Sequence, residues 1–168
     1  MRACCKLCVL IFIGLSCTNF GLAATTEPCS SAGHRTFDFW LGEWIVKTSD
    51  GKLAGNNHIT LEYNKCVIHE HYTTPHGYSG ESLNTYDATR KVWHQTWVDT
   101  DGTLLILEGN VHSGRMILEG SLIDTNGKSN RQRITWTPDK EGSVRQLWEA
   151  MDKNGKWNVV FDGIYTHQ

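Results

Sequence analysis

The chain has 168 residues, the size of one domain. Its 16 basic and 18 acidic residues leave a formal net charge of −2. No basic run occurs, which argues against a nucleic-acid partner and against a polybasic membrane-surface role.

The chain opens like a secretory signal peptide. Arg2 and Lys6 give a positive start, Leu7 to Leu15 is apolar, and small residues follow at Gly21, Ala23 and Ala24. The apolar run is shorter than the ~20 residues of a membrane-spanning helix. A leader over residues 1–24, cut after Ala23 or Ala24, implies an exported protein, periplasmic or secreted, with no transmembrane segment in the mature chain. Loss of Arg2 and Lys6 moves the net charge from −2 to −4. A minor second route is lipidation at Cys17, because Gly14-Leu15-Ser16-Cys17 resembles a bacterial lipoprotein signal. Cys4, Cys5, Cys8 and Cys17 lie in the leader region, which leaves Cys29 and Cys66 to form a disulfide in an oxidising compartment. That bridge would pin residues 25–34, a Thr-, Ser-, Gly- and Pro-containing flexible segment, to the strand that begins at Cys66.

From residue 35 onward the pattern is one domain of alternating strands. Residues 35–42 form a short helical turn. Strands follow at 44–49, 56–63, 66–74, 79–87, 91–98, 103–111, 115–123, 130–137, 143–151 and 157–166. Asp50-Gly51, His76-Gly77, Asp101-Gly102, Ser113-Gly114, Asn126-Gly127 and Asn154-Gly155 mark tight turns between them. Short turns make successive strands antiparallel neighbours. Ten twisted strands without covering helices close most simply into a single antiparallel up-and-down β-barrel, since a sandwich needs longer crossovers. The fold class is therefore all-β, over residues 35–168. Asp99, Asp124 and Asp152 each begin an Asp-x-Asx-Gly segment, but glycine at the fourth position breaks calcium-loop spacing, so these read as turns.

Residues two apart on a strand share a face. The rows Cys66-Ile68-Glu70-Tyr72, Ser82-Asn84-Tyr86, Trp93-Gln95-Trp97-Asp99 and Gln146-Trp148-Ala150 mix aromatic bulk with single polar groups, as a ligand cavity does. Candidate ligand-binding residues are Glu70, Tyr72, Asn84, Trp93, Gln95, Trp97, Gln146 and Trp148. Glu70 is also the candidate catalytic residue. Facing inward, its pKa would be raised by desolvation and lowered by a nearby Arg133 or Arg145. His69 and His71 then face solvent. A third ligand from His58, His76 or His94 cannot be placed, so no metal site is assigned, and no cofactor is implied.

The segment Phe37-Asp38-Phe39-Trp40-Leu41-Gly42-Glu43-Trp44 resembles the start of lipocalins and their calycin relatives, in which a Gly-x-Trp plugs one barrel end with an indole. That resemblance gives Gly42 and Trp44 a structural role. Together with Gly80 to Asp87, Trp93 to Asp99, Gly142 to Glu149 and Phe161 to Tyr165, it is similar to a bacterial, often exported, lipocalin-like barrel family of unknown function. The chain is more distantly similar to nitrobindins, ten-stranded haem barrels. Val46 and Thr48 stand where their further glycines belong, and His167 is the one residue placed like their haem ligand. The fatty-acid-binding pattern fails, because Gly163-Ile164-Tyr165 lacks the arginine.

Three functions fit. One is an exported barrel holding a small apolar or amphipathic molecule. A second is a barrel enzyme using Glu70 in acid/base chemistry of an isomerase or cyclase type. A third is a filled barrel acting as a structural or interaction module. The sequence fixes neither the ligand nor the oligomeric state.

Overall fold

The structure is a computed structural model that describes residues 27–123 and 126–168. The leader, its cleavage site, Cys17 and the turn at Asp124 lie outside the described residues. A one-turn helix α1 (Ala32–Arg35) and a 3-10 turn (Asp38–Trp40) precede ten strands. These are β1 (Gly42–Thr48), β2 (Leu53–Glu62), β3 (Val67–Thr73), β4 (Ser79–Asp87) and β5 (Val92–Asp99), then β6 (Leu104–His112), β7 (Arg115–Ile123), β8 (Ser129–Pro138), β9 (Val144–Met151) and β10 (Trp157–His167). Each pairs antiparallel with the next, and β10 closes on β1, giving a complete up-and-down barrel. Closure leaves no free sheet edge. The architecture is lipocalin-like, as the alternation and turn spacing require.

The turn chemistry follows the sequence. Gly51, Gly77, Gly102, Gly114 and Gly155 all have positive φ. Asp99 Oδ1 accepts the backbone N–H groups of Asp101 and Thr103, and Asp152 Oδ1 accepts those of Asn154 and Lys156. These carboxylates organise their own turns, as Asx geometry does.

The Cys29–Cys66 disulfide is present, with Cα atoms 5.1 Å apart and a sequence separation of 37. It ties the segment before α1 to the β2–β3 turn, where Lys65 also pairs with Glu27 at 3.5 Å. The described part of the segment expected to be flexible, residues 27–34, is thus tied down as the bridge implied. Gly33 lies so close to β4 that a Cβ there would meet the Tyr86 ring at 2.4 Å.

Odd strands run away from this end of the barrel and even strands return to it, so the end carrying α1 differs from the end carrying the β3–β4, β5–β6 and β9–β10 turns. At the α1 end, the interior is solid. Phe37, Trp40, Trp44, Trp93 and Trp136 are all buried to within 1%. Phe37 stacks on Trp40 with ring centres 4.9 Å apart and meets Trp93 and Trp136 edge-on. Trp44 Nε1 donates to the Trp40 carbonyl at 3.0 Å, and Trp93 Nε1 donates to Thr36 Oγ1 at 2.9 Å. The backbone at Gly42 takes φ +142, and a Cβ there would collide with the His167 ring at 2.9 Å. His167 stacks on Trp44 with centres 3.9 Å apart. The residue placed like a haem ligand in sequence therefore belongs to the plug.

Candidate functional site

Above the plug lies a layer of buried polar side chains: Asn57, Glu70, Ser82, Asn84, Gln95, Gln132 and Gln146. Each comes from an inward position of its strand. On β3, Ile68 and Glu70 are buried while His71 is exposed, so parity alone turns the carboxylate inward and the two histidines outward. His69 instead pairs with Glu81 at 3.1 Å on the outer face. Among the described residues no group of His, Cys, Asp or Glu is arranged to hold a metal ion.

Glu70 is 4% exposed. Ser82 Oγ donates to its Oε2 at 2.6 Å, and Asn57 Nδ2 donates to its Oε1 at 2.7 Å. The donors form a chain. Gln95 Nε2 donates to Asn84 Oδ1 at 2.8 Å, Asn84 Nδ2 donates to Ser82 Oγ at 2.9 Å, and the Ser82 hydroxyl hydrogen is thereby left for the carboxylate. Burial pushes the Glu70 pKa up to about 7, and the Ser82 and Asn57 hydrogen bonds only partly oppose it. Arg133 and Arg145, expected from the sequence to lower it, do not face Glu70. Arg133 pairs with Glu149 at 2.7 Å and Arg145 with Asp162 at 2.7 Å, both from outward positions. The strand parity that brings Gln146 and Trp148 inside turns Arg145 and Glu149 out.

Over this layer the barrel is hollow. A cavity of about 280 Å³ opens toward the end opposite the plug. Its floor is Glu70, Gln95, Gln146, Tyr165 and Ile134, and its walls include Tyr72, Tyr78, Trp97, Trp148 and Phe161. Tyr165 OH donates to Gln146 Oε1 and receives Asn57 Nδ2 at 3.4 Å. Trp148 Nε1 donates to Gln132 Oε1 at 2.7 Å. At the rim, Trp97 Nε1 and Tyr78 OH both donate to Asp99 Oδ2, at 3.1 and 2.9 Å. Although burial pushes the Asp99 pKa up, these bonds and the Thr103 backbone N–H hold it below the usual carboxylate value.

Three wall rings lie over inward glycines. A Cβ at Gly80 would sit 2.2 Å from the Trp97 ring, at Gly55 2.8 Å from Tyr72, and at Gly163 2.6 Å from Phe161. Glycine within a strand often marks such close approach.

Of the residues expected to bind a ligand, Glu70, Tyr72, Gln95, Trp97, Gln146 and Trp148 line one cavity. Asn84 stands behind Ser82 and reaches the cavity only through the donor chain. Trp93 does not line it. Its indole is packed into the plug, because its place at the start of β5 puts it level with Phe37. Sequence reasoning missed Asn57, Tyr165, Tyr78 and Phe161. Asn57 sits in a polar Asn-Asn-His run, and the one signal for its inward face was Ile59, two residues on. Tyr165 was detectable, since it shares the inward parity of Gly163 on β10.

A closed ten-stranded meander, plugged at one end and hollow at the other, defines a barrel of the lipocalin-like class. No protein-family model matches this chain, and no curated protein sequence matches it. Among the described residues no helix is long and apolar enough to cross a membrane.

Proposed function

We propose that this is an exported binding protein of the lipocalin-like barrel kind, which holds a small amphipathic molecule in its open half. The observation that carries the reading is the cavity of about 280 Å³, walled by aromatic rings over a floor of hydrogen-bonding groups. Apolar walls with few placed polar groups are the usual chemistry of a ligand site. A hollow upper half also weighs against the filled-barrel reading. Export is supported by the leader-like start and by the Cys29–Cys66 bridge, which suits an oxidising compartment.

Native mass spectrometry of the protein purified from its own host tests this. The expected result is a reproducible small-molecule adduct that leaves on denaturation and is lost in Trp97→Ala. A bare mass, together with no uptake of a neutral fluorescent probe, overturns it.

A second reading, acid/base catalysis by Glu70 of an isomerase or cyclase type, is favoured by one observation. The carboxyl is held near pH 7 by burial among neutral donors, which suits proton transfer at neutral pH. Solvent deuterium entering the recovered molecule in wild type and not in Glu70→Gln would support catalysis. An unlabelled molecule would leave binding alone.

A further inference from the structure

We propose that the molecule taken by the cavity is an amphipathic amine, its ammonium group seated on Glu70 and its apolar body between the Tyr72, Trp97 and Trp148 rings. The inference rests on the binding reading above and adds the charge of the ligand.

The first observation is an acid without a counter-ion. Facing Glu70 are Asn57 from β2, Ser82 from β4, Gln95 from β5, Gln146 from β9 and Tyr165 from β10, all neutral. Among the described residues no lysine, arginine or histidine lines the cavity. The other titratable groups beside it are phenols. Burial first, and then the Glu70 charge, push the Tyr72 pKa up to about 12 and that of Tyr165 well above its ordinary value, so neither supplies charge. The nearest cationic group on its own strand, His69, points outward to Glu81. A buried carboxylate is costly to ionise unless a cation pairs with it. Every arginine found in an ion pair here meets its acid on the outer face or at the plugged end, so the interior anion is left for something that enters.

The second observation is the balance of polar atoms on the floor. Gln95 commits its amide NH₂ to Asn84, which leaves its Oε1 to the cavity. Asn57 Oδ1 is buried and has no hydrogen-bond partner. Asn57 lies just behind the lining, and on the floor itself the Glu70 oxygens and Gln95 Oε1 outnumber the one amide donor left over, the Gln146 NH₂, whose Oε1 is taken by Tyr165. An ammonium brings three donors and no acceptor. A carboxylate or phosphate ligand would find only the Gln146 amide as a floor donor and would face the Glu70 oxygens.

The third observation is the rim. Asp99 accepts from Trp97 and Tyr78, and these bonds hold its pKa low, so an acidic group stands beside these two wall rings. Aromatic faces add attraction for a cation, strongest for Trp. A volume of about 280 Å³ suits a molecule of one or two rings or a short chain.

Calorimetric titration of the disulfide-bonded protein with phenethylamine, 2-phenylethanol and phenylacetate tests this, since the probes share a ring and differ in charge. At pH 8 the expected order is amine at least tenfold tighter than alcohol, with phenylacetate weakest. Glu70→Gln should bring the amine down to the alcohol. Wild-type affinity for the amine should also fall as pH drops from 8 to 5, where Glu70 takes up a proton while the amine stays charged, and that for the alcohol should not. This profile needs no variant. Equal binding of amine and alcohol, or preference for phenylacetate, overturns the amine inference and leaves cavity binding standing. No binding of any of the three overturns both.

Discussion

The two halves of the barrel interior are built from the same alternating strands and end in opposite states. In the plugged half, Trp93 and Trp136 meet Phe37, Phe37 and Trp40 stack, and Trp44 bonds to the Trp40 carbonyl, so the rings leave no room. In the open half, inward positions carry Tyr72, Trp97, Trp148 and Phe161, which lie against the wall and enclose space. Aromatic content does not separate them. What does is the filler: α1 and the 3-10 turn push Phe37 and Trp40 into one end, and among the described residues no such segment enters the other. Glycines at Gly55, Gly80 and Gly163 then let the open-half rings fold back onto the sheet. One half stores stability and the other gives it up for volume.

Substitutions should sort by half. The largest effect is expected from Phe37→Ala, which removes a fully buried ring that touches Trp40, Trp93 and Trp136. Deleting such a ring costs about 3–5 kcal/mol, readable in urea unfolding. Cys29→Ser with Cys66→Ser should cost about 4 kcal/mol in the chain-entropy model. A cost near zero would mean that the plug holds the N-terminal segment unaided.

Glu70 gives a third effect, of defined sign. Its folded pKa of about 7 lies above the ordinary 4.5, so the folded state binds the extra proton between those values. The stability this group contributes is fully present below pH 4.5 and is lost as pH rises toward 7, by about 3 kcal/mol in all. Unfolding at pH 4.5 and 8 should show that loss in wild type and not in Glu70→Gln. The lowered carboxylates Asp87, Glu108 and Asp162, held down chiefly by Arg90 and Arg145, act at more acidic pH. Their stabilisation is present above their unfolded pKa values and is lost as pH falls through the folded ones.

Gly80→Ala should cost about 1–3 kcal/mol, because the added methyl must displace Trp97. Its sharper signature is a shift of tryptophan fluorescence with loss of probe uptake. The smallest stability effect is expected from Trp97→Leu, about 1 kcal/mol, because Trp97 borders an open cavity, so its truncation widens that space rather than leaving an enclosed void, and the Asp99 bond it loses is partly exposed. Ligand uptake should nevertheless fall. A large stability loss there would erase the contrast between the halves.

The sequence made the strands legible, and with them the faces. Period-two alternation and Asx-Gly turns placed ten strands to within a few residues and put Glu70 on one face with Ile68 and Tyr72, opposite His69 and His71, while which of the two faces turns inward was open until the structure buried Glu70. Height along the barrel was not legible. Trp93 and Trp97 stand on one strand and one face, and only the position of Phe37 in space makes the first a plug residue and the second a wall residue. Asn57 escaped for a related reason. Its importance comes from facing Glu70 across the β2–β3 pair, where it lies opposite Tyr72, and register is set by turns far from it. The outward turn of Arg133 and Arg145 was written in the same parity that put Gln146 inside.

The anchoring of both ends of the described chain sets the orientation of anything attached at those two points. Glu27 and Cys29 are held at the β2–β3 turn, and Gln168 donates its backbone N–H to Glu43 at the start of β1. Both ends of the described chain therefore leave from the plugged pole. A tether or a fused partner joined directly at Glu27 or at Gln168 would take hold of the solid base and leave the mouth pointing away. For immobilisation on a sensor surface, either end is equivalent in this respect.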